Sequence, residues 1–594
     1  MPEAALPPAQ GDNDPPALLA DLLRRARAGV RRSEPAFTAL ALVAGLAAGV
    51  LTVLQTRIAA ALQRLLFDLP AGAHLSNADR LSLSALLVLP LGGLLLGVFN
   101  LLLRMRRRAV VDAVEANALH GGRMSLRDSL MLSGQTLISN GSGASVGLEA
   151  AFVQMGSSVA SLLGRWLSVR RADLRTLVGA GAGAAIAAAF GAPLTGAFYA
   201  FELVIGAYSP AALAPVAAAC IAATGMARWM GAAPYTVHVE AGNALTTPAY
   251  VHYIALSLLC GLLGIALMRL VATVEWGVSR SRIPDSLRPF IGGLLLIPLA
   301  AWTPQVLSSG HGALVSDIAA QLTPTTLALL LAAKCLASII SLGFGFRGGL
   351  FFASLFLGAL AGHTYAEALN AVVGHRLLDP GDASVVGMAA LAATVVGGPL
   401  TMAMLVLEST HDFVLTGASI AAVVACTMLV RATFGYSFST WRLHLRGHTV
   451  HSARDVGWAR LLTASMLMRR GTPVINASMH ASEFRRQFRP GATSRVLLID
   501  DAGHYAGILL PAEVYGIEPG DDPPVGQLVR KIPPIITPDT HIVDILQAFD
   551  VSHCDELAVV DADGVIQGLL SDAFVRRRYA DELEARQREL FGER

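Results

Sequence analysis

Between about Pro35 and Phe434 the chain is dominated by long apolar stretches separated by short polar breaks. "FTALALVAGLAAGVLTVL", "LSLSALLVLPLGGLLLGVFNLLL", "YIALSLLCGLLGIALM" and "TTLALLLAAKCLASIISLGFG" are each long enough to span or half-span a bilayer as helices. After about Trp441 such runs stop and charged positions become frequent. The pattern predicts an all-α polytopic membrane domain followed by a water-soluble domain. The expected boundaries are a Pro- and Arg-rich segment over 1–34, a membrane domain over 35–450 and a soluble domain over 451–594.

The soluble part repeats at an offset of 61 residues. "TPVINASMHASEFRRQF…VLLIDDAGHYAGILL" starts at Thr472, and "PPIITPDTHIVDILQAF…LAVVDADGVIQGLL" starts at Pro533. Pro473 aligns with Pro534, Asp500 with Asp561, Gly503 with Gly564 and Gly507 with Gly568. Each copy reads as a strand, an amphipathic helix, a hairpin with Asp and Gly at its turn, and a second helix. This gives two small α/β modules, over about 456–520 and 525–580.

The membrane part repeats more weakly. "APLTGAFYAFE" (Ala192 to Glu202) matches "GPLTMAMLVLE" (Gly398 to Glu408), each with a Glu nine residues after its Pro. A Gly-rich break precedes each: "SNGSGASVGLEAAF" and "GFGFRGGLFFASLF". The Pro copies are offset by 206 residues and the breaks by about 202. Paired, glycine-interrupted apolar segments in two related halves are a mark of transporters and channels whose broken helices aim N-terminal N–H groups at an anion. Tight helix packing alone explains one such break, but less readily two matched pairs.

Composition agrees. Hydrophobic residues make up 54% and charged residues 15%, against about a quarter charged in soluble domains. The first 20 residues are polar and Pro-rich, with no cleavable signal peptide expected. "RRARAGVRR" and "RMRRR" flank the first two apolar runs, and the positive-inside rule assigns both to the cytoplasmic side. A net charge of +2 gives no argument for nucleic acid. The five cysteines show no metal or disulfide spacing. No His-Glu-x-x-His occurs, His311 and His363 stand alone, and membrane carboxylates are too few for a cation pore, so neither an enzyme nor a metal site is expected.

One residue stands out. From Met131 to Leu163, Glu149 in "GLEAAFVQMG" is the only ionisable side chain. A carboxylate in an apolar membrane segment is costly and calls for a function.

In these motifs the membrane domain resembles the CLC family of chloride channels and proton-coupled chloride exchangers. "GLEAAFVQMG" stands at that family's Gly-x-Glu-Gly-Pro segment, and "GGLFFASLFLGA" at its Gly-Gly-x-Phe-x-Pro segment. The soluble pair resembles a tandem CBS (Bateman) module, a common CLC companion. The resemblance implies two inverted halves per subunit, a homodimer with one anion pathway in each subunit, and a multi-pass protein of the inner (plasma) membrane with both termini cytoplasmic. It places Glu149 on the gating glutamate, whose carboxylate competes with chloride for a site at helix N-termini; the alternative is a Glu held by a structural hydrogen bond. It assigns anion coordination largely to backbone, making Gly141, Gly143, Gly147, Gly348 and Gly349 important for close approach. Phe351 falls on the residue whose N–H lines the site, its side chain serving that site or only packing.

The chain departs from the family pattern in four places. The family's inner-mouth Ser falls on Arg108, within "RMRRR", either as one of three topological anchors or as an anion-attracting charge. The family's central Tyr falls on Ser439, so the usual Ser/Tyr pinch is expected to be missing and the inner route wider. The Gly and Pro after the gate are Ala150 and Ala151, and the second motif's Pro is Ala353. The exchangers' inner glutamate falls on Leu203, while Glu202 before it reads as structural. Leu203 cannot pass a proton, which favours a passive gated chloride channel; the alternative is an H+/Cl- antiporter using Glu149 and a non-standard internal proton path through water or another acid such as Asp112 or Glu115. Chloride is then cargo, and no cofactor is required. Adenine nucleotide at Ser571 and Asp572 of the CBS pair competes with a structural, dimer-stabilising role for that module.

Overall fold

The computed structural model describes residues 27, 29–31, 33–70, 72–78, 80–104, 111–237, 247–314, 322–445, 462–518, 521–529 and 533–591. Two compact units result, Met1–Asp455 and Val456–Arg594. In the first unit, seven helices among the described residues are long and apolar enough to cross a membrane.

The first half of this unit contains α1 (Glu34–Phe67), α2 (Val88–Arg104), α3 (Ala113–Leu119), α4 (Leu126–Gly141), α5 (Glu149–Trp166), α6 (Arg171–Phe190), α7 (Pro193–Tyr199) and α8 (Pro210–Trp229). A π-helical turn over Ala200–Ile205 continues α7. The second half contains α9 (Thr247–Arg280), α10 (Arg288–Trp302), α11 (Pro324–Gly343), α12 (Phe351–Val373), α13 (Pro380–Val396), α14 (Pro399–Thr410) and α15 (Phe413–Thr433), followed by α16 (Phe438–Leu445). The order α5–α8 is repeated by α12–α15.

Small residues bring these helices together, and they do so at equivalent places. A Cβ on Gly156 of α5 would run into the Gly181 carbonyl of α6, and one on Gly358 of α12 would run into the Gly387 carbonyl of α13. In hydrocarbon, where apolar burial supplies little drive, this backbone proximity is what holds helices together.

The halves are joined by exchanged polar contacts. Glu202 accepts the N–H groups of Leu400 (3.0 Å) and Thr401 (2.8 Å) and the Thr401 hydroxyl (2.7 Å). Glu408 does the same for Leu194 N–H (2.8 Å), Thr195 N–H (2.8 Å) and the Thr195 hydroxyl (2.7 Å). Each Pro-Leu-Thr helix start has its first-turn donors satisfied by a carboxylate of the other half, and the negative charge suits the helix N-terminus. The fold is therefore two related halves that cap one another.

The second unit holds β1 (Val474–Asn476), α17 (Ala481–Gln487), β2 (Val496–Ile499), β3 (Tyr505–Leu509), α18 (Pro511–Tyr515), α19 (Ile542–Ser552), β4 (Glu556–Val560), β5 (Ile566–Ser571) and α20 (Asp572–Phe591). β1 runs parallel to β2, β2 pairs antiparallel with β3, and β4 pairs antiparallel with β5. The two hairpin turns are built alike. Asp500 accepts from Ala502 and His504 N–H (2.9 and 2.8 Å), and Asp561 from Asp563 and Val565 N–H (3.1 and 2.8 Å). Gly503 (φ 88°) and Gly564 (φ 80°) then supply the left-handed residue that each turn needs.

Candidate functional site

The two glycine breaks meet. Gly147 donates to the Gly349 carbonyl at 2.9 Å, and Gly349 donates to the Gly147 carbonyl at 3.2 Å, a two-residue antiparallel bridge. Flanking serines hold the crossing with the same symmetry: Arg347 N–H donates to Ser139 Oγ, and Ser145 N–H to Ser341 Oγ, both at 2.9 Å. A Cβ on Gly348 would press on Val146 and the Gly147 carbonyl, so the close approach requires glycine there.

Beyond the crossing, each strand of chain turns into a helix. α5 begins after Leu148 and α12 after Leu350, and neither residue offers a capping side chain. First-turn N–H groups of two long helices are thus available to an anion. Glu149 is the first residue of α5 and only 3% exposed. Its carboxylate lies close to its own backbone N–H and to that of Phe352, in α12. Its Oε2 has no hydrogen-bond partner and lies where a Cβ on Gly147 would be. Glu149 therefore lies beside the helix starts of both halves.

Two cavities border this point. One, of about 1120 Å³, is lined by Asp112, Gln135, Tyr199, Arg347, Gly348, Gly349 and Ser439 among others. Its charges are mixed: Arg288 pairs with Asp285 at 2.6 Å and Arg442 with Glu275 at 3.2 Å. The other, of about 750 Å³, runs past Glu149, Tyr199, Glu202, Leu203, Phe351 and Ser439.

Of the residues expected at the site, Glu149, Gly147, Gly348, Gly349, Phe351 and Ser439 are brought to the crossing or to these cavities. Gly141 and Gly143 line neither cavity. Gly141 ends α4 against Leu62, and Gly143 (φ 88°) forms the turn that follows, packed against Phe67, Leu75 and Leu89. Each sits where packing or turn geometry by itself calls for glycine. Arg108, with Arg106 and Arg107, lies outside the described residues. Phe351 packs its ring 5.2 Å from Phe190 and 6.1 Å from Tyr199. Ser571 ends β5, and the Asp572 carboxylate takes the Arg576 Nε–H at 2.8 Å. Tyr199 was not among the expected residues; nothing in the sequence marks it apart from its place four residues before Leu203.

Over residues 92–431 the sequence matches the family model described as voltage gated chloride channel. The chain belongs to this family. Residues 525–573 match the CBS domain model. A ClcB-like chloride channel protein of Ralstonia nicotianae is 34% identical over 340 residues, 55% of this chain and 78% of that protein. The voltage-gated ClC-type chloride channel ClcB of Citrobacter koseri is 28% identical over 366 residues, 60% of this chain and 86% of the relative. Among solved structures, a slow cyanobacterial Cl-/H+ antiporter superposes with TM-score 0.60 at 22% identity, over 69% of this chain and 97% of that one. This family member is a multi-pass membrane protein of anion transport, with a CBS domain at its C-terminal end.

Proposed function

We propose that the protein conducts chloride passively and that Glu149 is its gate. The observation that carries this reading is the buried Glu149 carboxylate at the glycine crossing, beside the uncapped helix starts of both halves. A side chain there and a chloride ion compete for the same donors, and removing or neutralising the carboxylate releases them. Passive movement is supported by Leu203, which lines the same cavity as Glu149 and has no exchangeable proton. The name of the Citrobacter koseri relative, a chloride channel, agrees. The test is chloride efflux from proteoliposomes: efflux above that of empty vesicles supports the reading, and efflux no faster than empty vesicles contradicts it.

A second reading, an H+/Cl- antiporter, is favoured by one observation: Glu202 and Glu149 line one cavity. Against it, Glu202 is committed to three hydrogen bonds with Leu400 and Thr401. Further parts of the proposal are a homodimer with one pathway per subunit, residence in the inner membrane, and a cytoplasmic N-terminus and CBS pair. We assign the CBS pair a structural role, because the Asp572 carboxylate is engaged by Arg576 rather than open to a ribose.

A further inference from the structure

We propose that Tyr199, together with Ser439, forms the chloride-selecting neck between the two cavities. Tyr199 would supply from α7 the phenolic hydroxyl that position 439 lacks. The proposal rests on the chloride-conduction reading above and names a residue that the sequence comparison passes over.

Among the described residues, six line both cavities: Val114, Ala150, Tyr199, Gly349, Phe438 and Ser439. Any ion moving from one cavity to the other passes this set. Only Tyr199 and Ser439 carry a side-chain hydrogen-bond donor. Neither hydroxyl has a hydrogen-bond partner among the described residues, and Ser439 is exposed to the cavities. Tyr199 is half-buried and borders both cavities, so its O–H can donate to an ion passing between them.

The phenol is held where it is. Its ring lies 6.1 Å from that of Phe351, at 48°, against the first residue of α12. The π-helical turn that begins at Ala200 widens the backbone next to it, a feature often found at functional sites. Asp112 shares the first cavity with Tyr199, and Glu149 shares the second. Asp112 caps α3 by accepting Glu115 N–H at 2.7 Å. An anion passing between two carboxylates needs donors to offset repulsion, and a neutral hydroxyl supplies one without trapping the ion. The neighbouring Tyr436 does not serve, because its hydroxyl is bonded to His444 Nδ1 at 3.2 Å.

The test uses the full-length protein in a Glu149→Ala background, which removes the gate. Chloride binding is measured by calorimetry, and the chloride-to-thiocyanate flux ratio is measured in proteoliposomes. Tyr199→Phe is expected to weaken chloride binding by about ten-fold and to lower the ratio, because thiocyanate is less dependent on strong donors. Ser439→Ala is expected to shift the ratio in the same direction. Tyr365→Phe, whose hydroxyl bonds His252 of α9 and lines neither cavity, should leave both unchanged. A Tyr199→Phe protein with the parent's chloride affinity and flux ratio overturns the proposal. If Tyr199→Phe does not elute as a folded protein, Ser439→Ala decides: an unchanged ratio overturns the neck. If Glu149→Ala alone fails to raise flux, the gate reading falls, while the binding measurement still judges Tyr199.

Discussion

Gly147 and Gly349 donate to each other's carbonyls at 2.9 and 3.2 Å. This reciprocal pair lies at the point where the two halves cross. Glu149 follows Gly147 by two residues, and Phe351 follows Gly349 by two. The crossing thus sets the distance from which two helix N-termini can share one anion, and the Glu149 carboxylate, the proposed gate, stands at that place.

Glu149→Ala should raise chloride flux several-fold and remove most of its pH dependence. Glu149→Gln, which keeps the shape without the charge, should also raise flux. Efflux recorded between pH 5 and 8 checks both; flux and pH response equal to wild type would remove Glu149 from the gating role.

Gly147→Ala should partly mimic loss of the gate. The added Cβ would take the place of Glu149 Oε2, so the carboxylate must move away or the crossing must spread. Higher flux from a protein that elutes normally is expected, and combining it with Glu149→Ala should add little.

Glu202→Ala and Glu408→Ala should destabilise the membrane domain by similar amounts. Each leaves two N–H groups and one hydroxyl of the opposite half without their acceptor. Loss of such a cap costs roughly 1–2 kcal/mol. Melting in detergent should show comparable drops for the two variants. A large drop for one and none for the other would mean that the two halves are not energetically equivalent.

The turns of the soluble unit should lose stability in acid. The His504 N–H above all, then that of Ala502, holds the Asp500 carboxyl below its usual range, and the Val565 N–H chiefly does so for Asp561. A lowered folded value means that the contribution is present above the unfolded value, roughly pH 4, and is lost as pH falls through the folded one. Melting of the full-length protein and of the Asp500→Asn, Asp561→Asn double variant should converge below roughly pH 4 and differ above it. A gap that persists unchanged at pH 3 would contradict this origin.

Much of this was legible in the chain. The matched Gly-rich breaks and Pro-Leu-Thr motifs announced two related halves, and a lone carboxylate in an apolar run singled out Glu149 because burial of such a group is costly. The repeat also aligned Glu202 with Glu408. It did not reveal that each caps the other's partner helix, because equivalence in sequence says nothing about which copies touch. Gly141 and Gly143 were grouped with the site because glycine looks the same whether it serves an ion, a turn or a packed neighbour. Tyr199 was missed for a related reason. Its role depends on α7, α12 and α16 converging around two cavities, and such tertiary convergence leaves no periodic trace.

In the proposed mode of action, chloride moves without obligatory proton exchange. The most direct test is to reconstitute the wild-type protein, impose a chloride gradient against an opposing pH gradient, and record both ions together. Passive conduction gives chloride movement down its gradient with no sustained uphill proton flow. Uphill proton transport at a fixed ratio to chloride would contradict it and make the protein an exchanger.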